Sequence, residues 1–369
     1  MSILIITEPD DIHAVLISLA LEKKGHDSHL LFTADMPSRQ KNSIYFNNEQ
    51  STWRTSIGQT EDIIWDDKTI QSVWWRRPRK PAIPSTIHPE DKAFIERENA
   101  IYHLSIPYMI NPDAWWVNPI ASTYKTRSKI TQLKIAQQCG FKLPETLVSN
   151  SPEHIKQFIT QTIYATTIYK PFAPHYWHEP EGIRLLYTDK ISLPDLPSDA
   201  MLQMSPGIYQ RYVEKKFELR VTCFGSHISA VKIDSQSHAL GITDWRKIPG
   251  HELSIQPFEL PPAIIHKIIR FMKKAGVVFG CFDFIVTPEH DIVFLELNEQ
   301  GQFLWVEELL PELCYMDMFA EFIINQRFDF KWQPTKQTLS TLNFDKKAEE
   351  IVANNIKNHV YLNQIKRVA

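Results

Sequence analysis

The segment that most constrains this chain lies in its last third, where Cys281–Gln302 reads CFDFIVTPEHDIVFLELNEQGQ. Two apolar runs flank a Pro-Glu-His-Asp turn, which predicts paired strands over Gly280–Val286 and Ile292–Leu297. Side chains alternate along a strand, so Glu296 and Asn298 share a face, and Asp283 on the partner strand can join them. Acids set among Phe282, Phe284, Phe294 and Leu297 need a compensating charge, because an unpaired buried carboxylate is costly. Three oxygen donors without Cys or His suit a hard cation such as Mg²⁺, which favours carboxylates plus phosphate oxygens over a closed protein cage. The competing reading, an acidic strand edge in solvent, sits poorly with strands this apolar.

The rest of the chain narrows the class. Its 369 residues suggest two or three domains, and 43% apolar content can fill their cores. Lys+Arg 40 against Asp+Glu 43 leaves a formal charge of −3, which argues against a broad nucleic-acid footprint. No apolar run approaches the roughly 20 residues of a membrane span. The run Ile3–Ile6 is too short for a secretory signal. Four cysteines far apart, with no CxxC, read as reduced thiols and place the protein in the cytoplasm.

The N-terminus reads as a βα unit: a strand at Ile3–Ile6, a helix from Ile12 stopped by Gly25, and a strand at Ser28–Phe32. This is the start of a parallel sheet, and it lacks the GxGxxG turn of a dinucleotide site. Trp74-Trp75-Arg76-Arg77-Pro78-Arg79 concentrates guanidinium forks that match carboxylates bidentately, so Arg76 and Arg77 are candidates for holding an acidic substrate. The bland alternative is a strand with solvated arginines. Helices are expected at Pro89–His103, at Ser128–Gly140 with Ile130, Leu133, Ala136 and Gln137 on one side, at Ser151–Ile159, and at Pro262–Ala275. Strands are expected at Tyr164–Tyr169, Ile183–Thr188, Gly207–Val213, Phe217–Phe224 and Ile228–Ile233. Ala348–Val368 reads as one helix whose Val352, Ile356 and Val360 dock on its own chain or on a second copy. Lys170 ends a strand and Lys129 starts a helix, and either can meet a phosphate as a point charge.

Lys129, Lys170-Pro171, Gln210-Arg211-Tyr212-Val213, Glu218-Leu219-Arg220, Asp283 and Glu296-Leu297-Asn298 together resemble, in order and spacing, the ATP-grasp ligases of the RimK-like branch, over about residues 119–325. The resemblance implies a mixed α/β and α+β chain: an N-terminal pre-ATP-grasp αβ lobe (1–118), two ATP-grasp subdomains (119–205 and 206–330) and a tail (331–369). It implies ATP with two Mg²⁺ ions on Asp283, Glu296 and Asn298. Lys129 and Lys170 would serve the phosphates and the adenine side, Gln210–Val213 the adenine edge through backbone, Glu218 the ribose, and Arg220 the phosphates. Arg211 stands where the family commonly has Glu, so only its backbone role carries over. A narrower likeness, in Trp74–Pro78, Asp244-Trp245-Arg246, Glu299–Gln302 and Trp305-Val306-Glu307, is to the microviridin-type (graspetide) peptide maturases, with Glu299 where a Pro commonly follows the Asn. It implies a precursor peptide as partner, catalytic roles for Lys170, Arg220 and Arg246, and a homodimer; Arg246 beside Asp244 either holds the peptide's carboxylate or forms a structural ion pair with Asp244. The rival readings are a RimK-type ligase adding amino acids, a non-catalytic nucleotide-binding module, and RNA stacking on the Trp-Arg cluster; the −3 balance speaks against the last.

Overall fold

The structure, a computed structural model, describes residues 1–57, 63–66, 69–161, 166–173, 176–179, 182–185 and 188–362. The expected strand positions 164–165 and 186–187, and helix positions 363–368, lie outside the described residues. The described residues form two compact units, one within 1–120, 224–227 and 300–362, the other within 121–223 and 228–299.

The first unit is built on a parallel four-stranded sheet in the order Asp27–Phe32, Ser2–Thr7, Ser72–Trp75, Trp115–Val117. A parallel sheet is covered on both faces, so its strands are continuous apolar runs rather than alternating ones. On one face Leu4, Ile6, Val73 and Trp75 join Leu31, Trp53, Ile106 and Ile110. Towards the other, Trp74 packs 4.6 Å from Phe319 and Trp115 6.2 Å from Phe322, both rings carried by the helix Tyr315–Asn325. That packing is why residues 300–330, assigned from sequence to a later segment, cluster with the N-terminal residues instead. Beside the sheet stands an antiparallel meander, Gln40–Phe46, Ser51–Ile57 and Ile63–Asp66. The C-terminal helix is shorter than its pattern suggested. It covers Asp345–Asn358 and packs on Ile12–Lys23 of its own chain. The chain then leaves the helix because buried Asp35 captures it, accepting the Val360 N–H at 2.7 Å and contacting His359 Nδ1 at 2.5 Å.

Besides the hairpin Tyr176–Glu179 and Gly182–Leu185, the second unit holds two larger sheets. One runs in the order Asp189–Ile191, Thr167–Lys170, Gly207–Arg211, Thr146–Ser149, with all neighbours antiparallel. The other runs Ile255–Pro257, His227–Ile233, Phe217–Phe224, Phe279–Val286, Ile292–Asn298. The helix Pro262–Ala275 buries Ile268, Phe271, Met272 and Ala275 and ends at Gly276 with φ +79°, as its pattern predicts. Phe271 meets Phe141, Phe282 and Phe294 in an aromatic cluster. The helix Lys129–Gln138 is rotated from its expected face. Gln132, Ile135 and Ala136 are buried, and Ile130 is half exposed. The turn is set by Gln132, whose amide bonds the neighbouring strand's backbone rather than facing water.

Candidate active site

Two contacts fix which side chains share a face of the five-stranded sheet. Arg220 Nη1 donates to both carboxylate oxygens of Asp283, at 2.9 and 3.0 Å. Thr222 Oγ1 lies 3.7 Å from Cys281 Sγ. By strand alternation Glu218, Arg220 and Thr222 therefore face the same way as Cys281 and Asp283. In the next ladder Asp283 is paired with Glu296 and Cys281 with Asn298. This register puts Asp283, Glu296 and Asn298 on one face of two adjacent strands.

A one-residue irregularity makes this possible. The pairing steps from Asp283 opposite Glu296 to Phe284 opposite Phe294, leaving Leu295 as the extra residue. Phe294 and Glu296 are two apart and would share a face in a regular strand. With Leu295 bulged, Phe294 is fully buried beside Phe282 and Phe284 while Glu296 turns to the polar side.

The charges around the two acids are uneven. Arg220 is buried and its guanidinium is held above its ordinary value, burial opposing and Asp283 favouring the charged form. Burial pushes Asp283 up, with Arg220 opposing and Glu296 adding to the rise. Burial also works against ionised Glu296, yet Lys129, Lys170, Arg246 and Arg220 outweigh it and hold Glu296 down. Lys129 Nζ lies 3.5 Å from Glu296 Oε2 and donates to the Pro171 carbonyl at 3.3 Å. Lys170 ends the strand Thr167–Lys170 and its ammonium is pushed down by burial and by Lys129 and Arg246, against the pull of Glu296.

Asp244 caps the short turn Trp245–Lys247 by accepting the Arg246 N–H, and it grips the same residue's guanidinium at 2.8 and 2.6 Å. Asp244 is buried, whereas the Arg246 side chain is 56% exposed, so the pair presents an oriented cation. Glu218 is also buried and is pushed up by burial, against Lys215, which donates to it at 2.6 Å. Lys215 escaped the sequence reading, because it lies in the loop before the strand and no local periodicity pairs it with Glu218. Arg127 was also missed. It lies 3.7 Å from Glu299, the residue directly after Asn298.

The Gln210–Val213 segment runs off the strand Gly207–Arg211. Gln210 Nε2 donates to Thr146 Oγ1 at 2.9 Å. The Tyr212 N–H donates to the Thr166 carbonyl at 2.7 Å, and Val213 is half-buried. The Arg211 side chain turns into the core, bonding Thr167 Oγ1 and the Phe158 carbonyl and lying over the Phe158 ring. It serves structure, which explains why Arg stands at this position.

Arg76 and Arg77 require a correction. Both lie in the first unit, at the carboxyl end of Ser72–Trp75. Arg76 is 1% exposed, donating to Asp11 at 3.0 Å and to the Gly301 carbonyl at 2.9 Å. Arg77 donates to Glu8 at 2.8 Å, and Arg79 pairs with the same carboxylate. Arg76 is therefore an internal counter-ion, while Arg77 and Arg79, partly exposed, are engaged by Glu8; the three do not form a free arginine ridge.

Two carboxylates and an amide oxygen form a hard donor set, and the upward push on Asp283 is relieved by a nearby cation, so the residues fit Mg²⁺. Among the described residues no group of three or more His, Cys, Asp or Glu is gathered for a metal. No described helix is long and apolar enough to cross a membrane.

No protein-family model matches the chain, and no curated protein matches it in sequence. Solved structures do. A Chryseobacterium gregarium RiPP-associated ATP-grasp ligase, solved with ADP and a leader and core peptide, is 26% identical with a TM-score of 0.79, covering 90% of this chain and 99% of its own. The macrocyclase MdnC of Microcystis aeruginosa MRC, bound with the precursor peptide MdnA, is 28% identical with a TM-score of 0.76, covering 89% and 100%. The macrocyclase MdnB from the same source is 26% identical with a TM-score of 0.73, covering 88% and 99%. The chain has the ATP-grasp ligase fold. The second unit contains Lys129, Lys170, Glu218, Arg220, Arg246, Asp283, Glu296 and Asn298.

Proposed function

We propose that this protein is an ATP-dependent ligase that closes ester or amide side-chain cross-links in a ribosomally made precursor peptide. The observation that carries the reading is the register of Asp283 opposite Glu296, with Asn298 on the same face and Arg220, Lys129, Lys170 and Arg246 contributing positive charge. Similarity along nearly the whole chain to ligases solved with leader, core or precursor peptides supports the choice of substrate.

Phosphoryl transfer asks mainly for positioning and charge neutralisation, and the residues divide accordingly. Asp283, Glu296 and Asn298 would hold two Mg²⁺ ions, which when bound would supply positive charge to neutralise the phosphates. Lys129, Lys170 and Arg220 offset the remaining phosphate charge, Gln210–Val213 lines the adenine side, and Glu218 serves the ribose. Arg246, oriented by Asp244, receives the substrate carboxylate. A carboxylate oxygen of the peptide attacks the γ-phosphorus, the bond to the β-phosphate breaks, and ADP leaves. A hydroxyl or amine of the same peptide then attacks the acyl carbon, loses its proton, and expels phosphate.

Incubation of the protein with ATP, Mg²⁺ and its precursor peptide tests this by mass spectrometry. Each bond closed removes one water, whereas a ligase that adds amino acids increases the mass. Absence of ADP formation with any acidic peptide overturns the catalytic reading. We also infer a cytoplasmic homodimer; the resemblance supports the dimer, light scattering tests it, and the four unbridged cysteines favour a reducing compartment.

A further inference from the structure

The strand Ile292–Asn298 is the edge of its sheet, so among the described residues the outward backbone groups of Leu297 have no neighbouring strand to pair with. Gln132 supplies the missing partner. Its Oε1 accepts the Leu297 N–H at 2.8 Å and its Nε2 donates to the Leu297 carbonyl at 2.8 Å, and the same Nε2 donates to the Thr126 carbonyl at 2.6 Å. One buried side-chain amide thus does what a further strand's peptide group would do. Leu297 is held from the other side as well, since a Cβ on Gly280 would come within 2.6 Å of its Cδ1.

The residues on either side of this pinned peptide are Glu296 and Asn298. Gln132 and Lys129 are three apart on one helix, and Lys129 reaches Glu296 from the same side. We propose that Gln132 is a positioning residue: it fixes the Glu296–Leu297–Asn298 backbone so that both donors meet a nucleotide-bound divalent cation, and it couples that strand to the helix bearing Lys129. The inference rests on the proposed function for the identity of the ligand, an Mg²⁺–nucleotide, and on geometry for everything else. Groups that orient ligands rather than touch the metal are worth roughly 10–100-fold in metal affinity.

The test uses the full chain and a readout independent of turnover: the melting-temperature rise on adding ADP, titrated with MgCl₂. In Gln132→Met, which keeps the length and loses the hydrogen bonds, the half-saturating Mg²⁺ concentration is expected to rise roughly 10–100-fold. Ile135→Ala, a cavity substitution on the same buried helix face, lowers the melting temperature without moving that midpoint. Should Gln132→Met fail to fold, Gln132→Glu decides, because its carboxylate can still accept the Leu297 N–H but cannot donate to either carbonyl; its midpoint also shifts upward. A Gln132 variant that melts lower with an unchanged Mg²⁺ midpoint overturns the proposal and leaves the function standing. A wild-type protein with no Mg²⁺-dependent response to ADP overturns both.

Discussion

Replacing Arg220 by Met keeps an unbranched side chain and removes one charge from a buried pair. The Arg220 side chain is 6% exposed, and both Asp283 oxygens lie about 3 Å from one of its nitrogens. Directly opposed residues such as Asp283 and Glu296 have Cβ atoms about 5 Å apart. Two carboxylates at that separation repel by about 3 kcal/mol at an effective dielectric constant near 20. Breaking a buried pair by removing one partner costs about 3–5 kcal/mol, and here it leaves Lys129, Lys170 and Arg246 as the remaining offset to the repulsion. The expected loss for Arg220→Met is therefore about 3–5 kcal/mol at pH 7, read from urea denaturation. Adding Asp283→Asn removes the orphaned charge, so the double variant is expected to be more stable than the single one. The sign of the pH dependence follows from Asp283, which burial already pushes up. A carboxyl raised in the folded state binds its proton more tightly there, so the single variant gains stability as pH falls from 7 towards the ordinary carboxylate value of about 4. A loss below about 1 kcal/mol, or a double variant no better than the single, would refute the reasoning.

In the first unit, Asp11 is held well below the usual carboxylate range: burial opposes its charge, but Arg76, Arg77, His13 and the Thr7 hydroxyl prevail. A depressed carboxyl contributes stability above its unfolded value of about 4 and loses it as pH falls, so Asp11→Asn should flatten the acid side of the stability curve. An unchanged acid limb in urea titrations from pH 5 to pH 2 would count against this. Gly276→Ala places a side chain at φ +79° and within 2.5 Å of Ser122 Oγ, and is expected to lose about 1–3 kcal/mol in the same assay.

Much of this site was legible because strand and helix periodicities are local. The turn between two apolar runs announced the strand pair, and the alternation of Glu296 with Asn298 announced their shared face. What escaped depended on partners distant in sequence. A glutamine on a helix reads as solvent-facing until Leu297 is known to need a hydrogen-bond partner, so the buried face was drawn through Ile130 rather than Gln132. The arginines after Trp75 read as a ligand site because Glu8 and Asp11, nearly seventy residues away, are brought beside them only by parallel pairing of the first strand with Ser72–Trp75. The C-terminal helix pattern runs on through Val360, yet Asp35 ends the helix early through contacts more than three hundred positions apart.

Side-by-side measurement of ADP release and precursor-peptide binding, in the wild type and in Asp283→Ala and Glu296→Ala, bears most directly on the paired acids as a nucleotide–metal platform. Abolished ADP release with peptide binding preserved is the predicted result. Intact ATP turnover accompanied by lost peptide binding would contradict it.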